Sequence, residues 1–180
     1  MSLLCLALAA ATPAPTCANP PAWRPVATDA DRQRLRDVRT AWTAALAGRT
    51  IGTDPLFDPD RALDRPLPPP GPYRCRLIGV GGGAEITPPN WGRCEIGADS
   101  PVKLDGVQRP TGRLYADSET RGVFLGTLLL GDESRPIRYG RDGMRNLVGV
   151  VERIDAARWR VALPNRSFGS VLDVIELVPA

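Results

Sequence analysis

Few side chains in this sequence can do chemistry, and their types exclude more reactions than they suggest. The 180 residues contain no histidine, so neither a Ser-His-Asp nor a Cys-His arrangement can form. A zinc site is disfavoured for the same reason, since of four cysteines only Cys75 and Cys94 lie outside the first eighteen residues, and two cannot supply four donors. Carboxylates are what remain. Asp132-Glu133 and Asp142 could form an acid pair or a calcium site. Each lies beside Gly, Ser or Arg in a turn, where acidic residues are commonly solvated turn formers, and no catalytic residue is assigned. Gly79-Val80-Gly81-Gly82-Gly83-Ala84 has the glycine spacing of a dinucleotide fingerprint. The residues after it, Glu85-Ile86-Thr87-Pro88-Pro89-Asn90, cannot supply the helix that would hold a pyrophosphate. A loop is expected there, and no cofactor.

The richer polar set runs through Gln108, Arg109, Arg113, Tyr115, Asp117 and Arg121, and resumes with Glu133, Tyr139, Arg141, Asp142 and Arg145. Arginine offers planar paired donors to a carboxylate or phosphate, and tyrosine adds a rigid amphipathic surface. Arg109, Tyr115, Arg121, Tyr139 and Arg141 are therefore the candidate ligand-binding residues. Cross-strand ion pairs that fix register are the structural alternative for the same side chains.

The cysteines bear on the compartment. Residues 1–18 resemble a secretory leader: the apolar run from Leu3 to Ala11 is too short to span a bilayer, and Thr16-Cys17-Ala18 offers small residues for cleavage after Ala18. Lipid attachment at Cys17 is the alternative. Export removes Cys5 and Cys17 and leaves Cys75 and Cys94 as one pair, which an oxidising compartment would join. Such a bridge contributes ~3 kcal/mol through the unfolded state. The expected location is periplasmic or secreted, with no integral membrane span. The formal net charge of +3 comes almost wholly from arginine, Lys103 being the sole lysine. Basic residues alternate with acidic ones, so nucleic-acid binding has no support.

Positioning these groups requires a sheet. Thr28 caps an amphipathic helix expected over Asp29 to Ala47, with Leu35, Val38, Trp42, Ala45 and Leu46 on one stripe. A proline-rich connector follows to Pro72, ending in Leu67-Pro68-Pro69-Pro70-Gly71-Pro72, which reads as an extended spacer. From 73 to 180 strand-like runs succeed one another: 73–80, 93–97, 102–109, 113–117, 123–130, 147–154, 158–163 and 171–178. Turns are expected at Arg109-Pro110-Thr111-Gly112 and Asp117-Ser118-Glu119-Thr120. No helix-length pattern interrupts these runs. The fold expected is mainly β, an antiparallel barrel of about eight strands, lipocalin-like or inhibitor-like, behind one helix and the connector of residues 19–72.

The runs GVQRPTGRLYAD, VFLGTLLLGDE, YGRDGMRNLVGVVERI, RWRVALP and SVLDVIELVP, with AWRPVATDADRQRLRDVRTAW and PPPGPYRCR before them, resemble an uncharacterised family of exported Gram-negative bacterial proteins, domain-of-unknown-function family 4893. The resemblance implies an envelope location and transfers no catalytic residue. A fainter similarity is to small exported barrels that inhibit metalloproteases. The function expected is a noncatalytic binding module for a small anionic or amphipathic ligand or an envelope protein partner. An envelope hydrolase using carboxylate, Ser or Tyr chemistry is the alternative.

Overall fold

Alternation of side chains across one continuous wall organises the molecule. The computed structural model describes residues 22–49, 52–82, 89–98, 101–104, 108–131, 133–164 and 170–180. The chain is mainly β and antiparallel, with strands β1 (Gly71–Val80), β2 (Gly92–Ile96), β3 (Pro101–Leu104), β4 (Gln108–Ala116), β5 (Gly122–Leu130), β6 (Asn146–Asp155), β7 (Arg158–Pro164) and β8 (Leu172–Pro179). Each strand pairs with the next, and β8 returns to β1 from Tyr73↔Pro179 to Val80↔Leu172, so the order closes as a barrel. Seven strands carry the wall. The four-residue β3 spans β2 to β4 with only three partner pairs on each side.

Inward residues form one core that includes Tyr73, Leu114, Phe124, Trp159, Leu163 and Leu177. Side chains from so few strands are enough to fill such an interior. Gly112 stands opposite Gly126. A Cβ on Gly126 would come within 2.3 Å of the Thr111 carbonyl and 2.6 Å of the Phe124 ring, so the close approach of β4 and β5 requires glycine there. The turn expected at residues 109–112 is thus strand. Pro110 stands opposite Leu128 on β5, one residue beyond the described β3–β4 pairing, which runs to Lys103↔Thr111; strands tolerate proline where no ladder N–H is asked of it. Cys75 and Cys94 both face inward, on β1 and β2, with Cα atoms 6.0 Å apart, inside disulfide range. The glycine-rich run leaves β1 through Gly81; residues 83–88 lie outside the described residues, as do residues 1–21.

The outer wall is covered by the N-terminal part of the chain. Instead of one helix over Asp29–Ala47 there are two, α1 (Asp29–Arg36) and α2 (Val38–Leu46), divided at Asp37 with φ −87° and ψ 0°. The wall's curvature accounts for the break. Leu35 on α1 packs with Val123, Leu125, Val148 and Val150 of β5 and β6, whereas Trp42 and Ala45 on α2 pack with Ile78, Ala162 and Val174 of β1, β7 and β8. One straight stripe could not serve both. Trp42 is 3 % exposed, a burial that stabilises by about 1.5–3 kcal/mol on the scale of large apolar side chains. Among the described residues no helix is long and apolar enough to cross a membrane.

The connector is more than a spacer. A 3-10 turn at Pro55–Phe57, capped by Asp54, buries Leu56 completely. Leu63 N donates to Arg153 O at 2.8 Å, and Arg65 N to Glu119 O at 3.0 Å. Pro66 and Pro68 are buried, Leu67 packs against the interior core and onto Gly122, and Tyr73 Oη donates to Pro69 O at 2.7 Å. The segment caps one end of the barrel.

Candidate functional site

The outward residues of β4 and β5 meet a loop that folds back over them. On β4 these are Arg109, Thr111, Arg113 and Tyr115; on β5 they are Val123, Leu125, Thr127 and Leu129. The segment between β5 and β6 is held down at several points. Arg109 Nη2 donates to Gly131 O at 2.8 Å and Glu133 O at 2.6 Å. Glu133 Oε2 accepts from Leu130 N at 2.9 Å, Thr127 Oγ1 donates to Ile137 O at 3.0 Å, and Gly140 N donates to Asn146 Oδ1 at 3.0 Å.

A second anchor ties this loop to α1. Asp31 is fully buried. Its carboxylate accepts from Thr28 Oγ1 at 2.8 Å, Asn146 Nδ2 at 3.4 Å, Tyr139 Oη and Arg34 Nη2. Tyr139 Oη also accepts from Thr28 N at 3.2 Å. Burial, then the hydrogen bond to the Asp31 carboxylate, pushes the Tyr139 phenol up to about 12. That hydroxyl is committed to structure. Its ring still faces the groove.

Between the loop and the wall lies an open groove of about 440 Å³, within the ~300–1,000 Å³ range of small-molecule sites. Val26, Tyr115, Leu125, Ile137 and Tyr139 give it an apolar surface, and Arg113 and Arg138 also line it. Both arginines are exposed. Neither makes an ion pair or a side-chain hydrogen bond to any described residue. No carboxylate, serine or cysteine among the described residues lines the groove. Among the described residues no three His, Cys, Asp or Glu side chains gather to hold a metal ion.

A family model described as a domain of unknown function (DUF4893) matches residues 23–177. The chain belongs to the DUF4893 family. The DUF4893 match takes in the N-terminal helices and connector together with the barrel, so the covering and the wall fall within one family domain. No curated protein and no solved structure matches the chain.

Of the five residues singled out from the DUF4893 sequence, Tyr115 and Tyr139 line the groove, and Arg109, Arg121 and Arg141 do not. Arg109 pins the base of the loop. Arg121 lies beyond β4 in the turn to β5, where its Nε is 3.4 Å from Asp117 Oδ2, and Asp117 also accepts from Trp23 Nε1 at 2.7 Å. Arg141 is exposed on the loop. Glu133 and Arg145 pair at 2.6 Å; Arg145, then Leu130 N–H, holds the Glu133 carboxyl below its usual range. Ion pairs thus hold the β4–β5 turn, at Arg121 and Asp117, and the loop, at Glu133 and Arg145, while Arg109 and Arg141 make none among the described residues. Sequence reasoning did not single out Arg138, Ile137, Leu125 or Val26. Parity along β4 would have grouped Arg113 with Thr111 and Tyr115, but nothing local announces that residues 136–139 fold back onto that face.

Proposed function

We propose that the chain is a noncatalytic binding module exported to the bacterial cell envelope, and that its groove holds a small amphipathic anion. The observation that carries the reading is the pairing of an apolar groove with two guanidiniums, Arg113 and Arg138, that no described acid neutralises. An apolar body would lie on Leu125, Ile137, Val26 and the two tyrosine rings, and a carboxylate or phosphate head would meet the arginines. A lipocalin-like barrel would place its ligand inside; here Phe124, Trp159 and their neighbours occupy the interior, which favours the outer groove. Export is supported by the leader-like residues 1–18 and by Cys75 and Cys94 standing within disulfide range.

Calorimetric titration with dodecanoate and dodecyl phosphate, and with dodecanol as the uncharged control, tests this reading. The anions should bind roughly tenfold or more tighter than the alcohol, the expectation for a charge-assisted contact of ~1.5–3 kcal/mol. Arg113→Ala combined with Arg138→Ala should erase that preference. Equal binding of the alcohol, or an unchanged preference in the double variant, would sink the proposal.

A further inference from the structure

The loop that covers the groove carries a second chemical feature in its exposed arginines. Arg135, Arg138 and Arg141 recur at every third position, all three exposed, and none has an ion pair or side-chain hydrogen bond among the described residues. The described acids of the loop are occupied. Glu133 accepts twice from Arg145 Nη1, at 2.6 and 2.7 Å. Asp142 lies 3.9 Å from Arg145 Nε and takes Met144 N on its other oxygen at 2.9 Å. One arginine therefore engages both carboxylates, and three others are left to solvent. The turn that Asp142 closes presents Met144, which is 80 % exposed. The backbone beneath is fixed, since Arg141 N donates to Arg138 O and Arg145 N to Asp142 O, both at 3.1 Å.

We propose that residues 135–144 form a docking surface for an anionic lipid bilayer, with Arg135, Arg138 and Arg141 at the headgroups and Met144 inserted among the acyl chains. Clustered guanidiniums are attracted to anionic headgroups, each adding to the binding, and an unbranched apolar side chain at a turn can enter the interface without unfolding anything. An acidic protein offers the same charge complementarity. It would also need an apolar centre in a patch of about 1,000 Å² or more, and the exposed large apolar side chains among the described residues are only Val26, Trp91 and Met144. The charge and the single apolar tip fit a lipid surface better.

Residues 135–144 overlap the groove lining at Pro136, Ile137, Arg138 and Tyr139, but of the four side chains proposed to meet lipid only Arg138 lines the groove, so variants at Arg135, Arg141 and Met144 test the surface apart from it. Flotation with phosphatidylcholine vesicles, with and without about 30 % phosphatidylglycerol, is the direct test. The protein should partition onto the anionic vesicles at low salt and release as salt is raised. The double variant Arg135→Gln, Arg141→Gln should bind about tenfold or more weakly, two surface charges being removed. Met144→Ser should bind several-fold more weakly, and both should keep the parent melting temperature, because neither set of side chains has an ion-pair or hydrogen-bond partner among the described residues. Arg113→Ala, which touches only the groove, should leave vesicle binding unchanged. Equal affinity for neutral vesicles, no partitioning onto either kind, or full binding by the double variant would overturn the proposal. Competition by soluble polyglutamate together with indifference to Met144→Ser would identify an acidic protein surface in place of the bilayer, and would overturn it too.

Discussion

Arg160 and Arg138 are chemically the same side chain in opposite circumstances. Arg160, on the outer face of β7, is fully buried beneath the connector. It donates to the carbonyls of Pro55, Leu56, Asp58 and Arg61 and to Glu152, and its guanidinium lies 5.0 Å from the Trp42 ring centre. Beside it, Glu176 is 2 % exposed between Arg76 Nε at 2.6 Å and Arg158 Nε at 2.5 Å. Arg158 reaches on to Asp54 with both Nη atoms, at 2.8 and 3.1 Å. Burial alone would raise the Asp54 carboxyl, but the Arg158 hydrogen bonds and the Leu56 N–H outweigh it and hold it below its usual range. On that face Arg76, Arg158 and Arg160 each have work within the fold. On the β4–β5 face Arg113 and Arg138 have none among the described residues, and a charge with no internal partner is free to meet something external.

The sharpest way to break the contrast is Arg160→Met. Removing the buried cation strands Glu152 and four carbonyls, and urea denaturation should show a loss of about 3–5 kcal/mol. A loss under about 1 kcal/mol would mean that water replaces those contacts cheaply. Glu176→Gln keeps the shape and removes the charge between two arginines; about 1.5–3 kcal/mol should go in the same assay. Gly126→Ala probes the wall beneath the groove, and the 2.3 Å approach to Thr111 O predicts a cost of about 1–3 kcal/mol with β4 and β5 forced apart.

Tyr139 stands between the two regimes. Its phenol has a raised folded-state pKa, so the neutral form is favoured by folding. The stability gained is present below pH 10, the ordinary tyrosine value, and is lost as pH climbs towards about 12. For a half-exposed side chain the loss is on the order of 1 kcal/mol after solvent screening. Thermal melts at pH 9 and pH 11.5 should therefore converge for Tyr139→Phe relative to the parent. Parallel pH dependence in both proteins would show that the Asp31 contact does not govern this titration. Smallest in stability are Arg113→Ala and Arg138→Ala, each expected within about 0.5 kcal/mol of the parent even though anion binding should fall.

Much of the wall was legible because period-two alternation and turn residues write strands locally: β5, β6, β7 and β8 lie within a residue of their expected limits at each end. Where a long-range constraint decided, the local reading failed. Arg109-Pro110-Thr111-Gly112 has turn chemistry, yet Gly112 is wanted for its contact with Gly126 across the sheet. The stripe from Leu35 to Leu46 reads as one helix until the curved surface it must cover is known. The prolines from Pro66 to Pro70 announce stiffness and say nothing about what they lie against. The groove is the extreme case, since its lining joins three separate segments, the residue at Val26, the faces of β4 and β5, and the loop at 136–139. Only Arg113 and the two tyrosines stood out by type.

The covering of the barrel is made from the amino-terminal part of the chain, and synthesis delivers that part first. Trp42 finds its partners at Ile154, Ala162 and Val174, which leave the ribosome well over a hundred residues later. Until then α2 is a short amphipathic segment with nothing to cover, below the length at which a helix holds itself together in water. The connector likewise has no barrel end to cap. Closing the ring of strands across such separations is slow, and the waiting apolar stripe is the kind of surface that chaperones bind and aggregates grow from. In this molecule the first helices to be made must wait for partners that are made among the last.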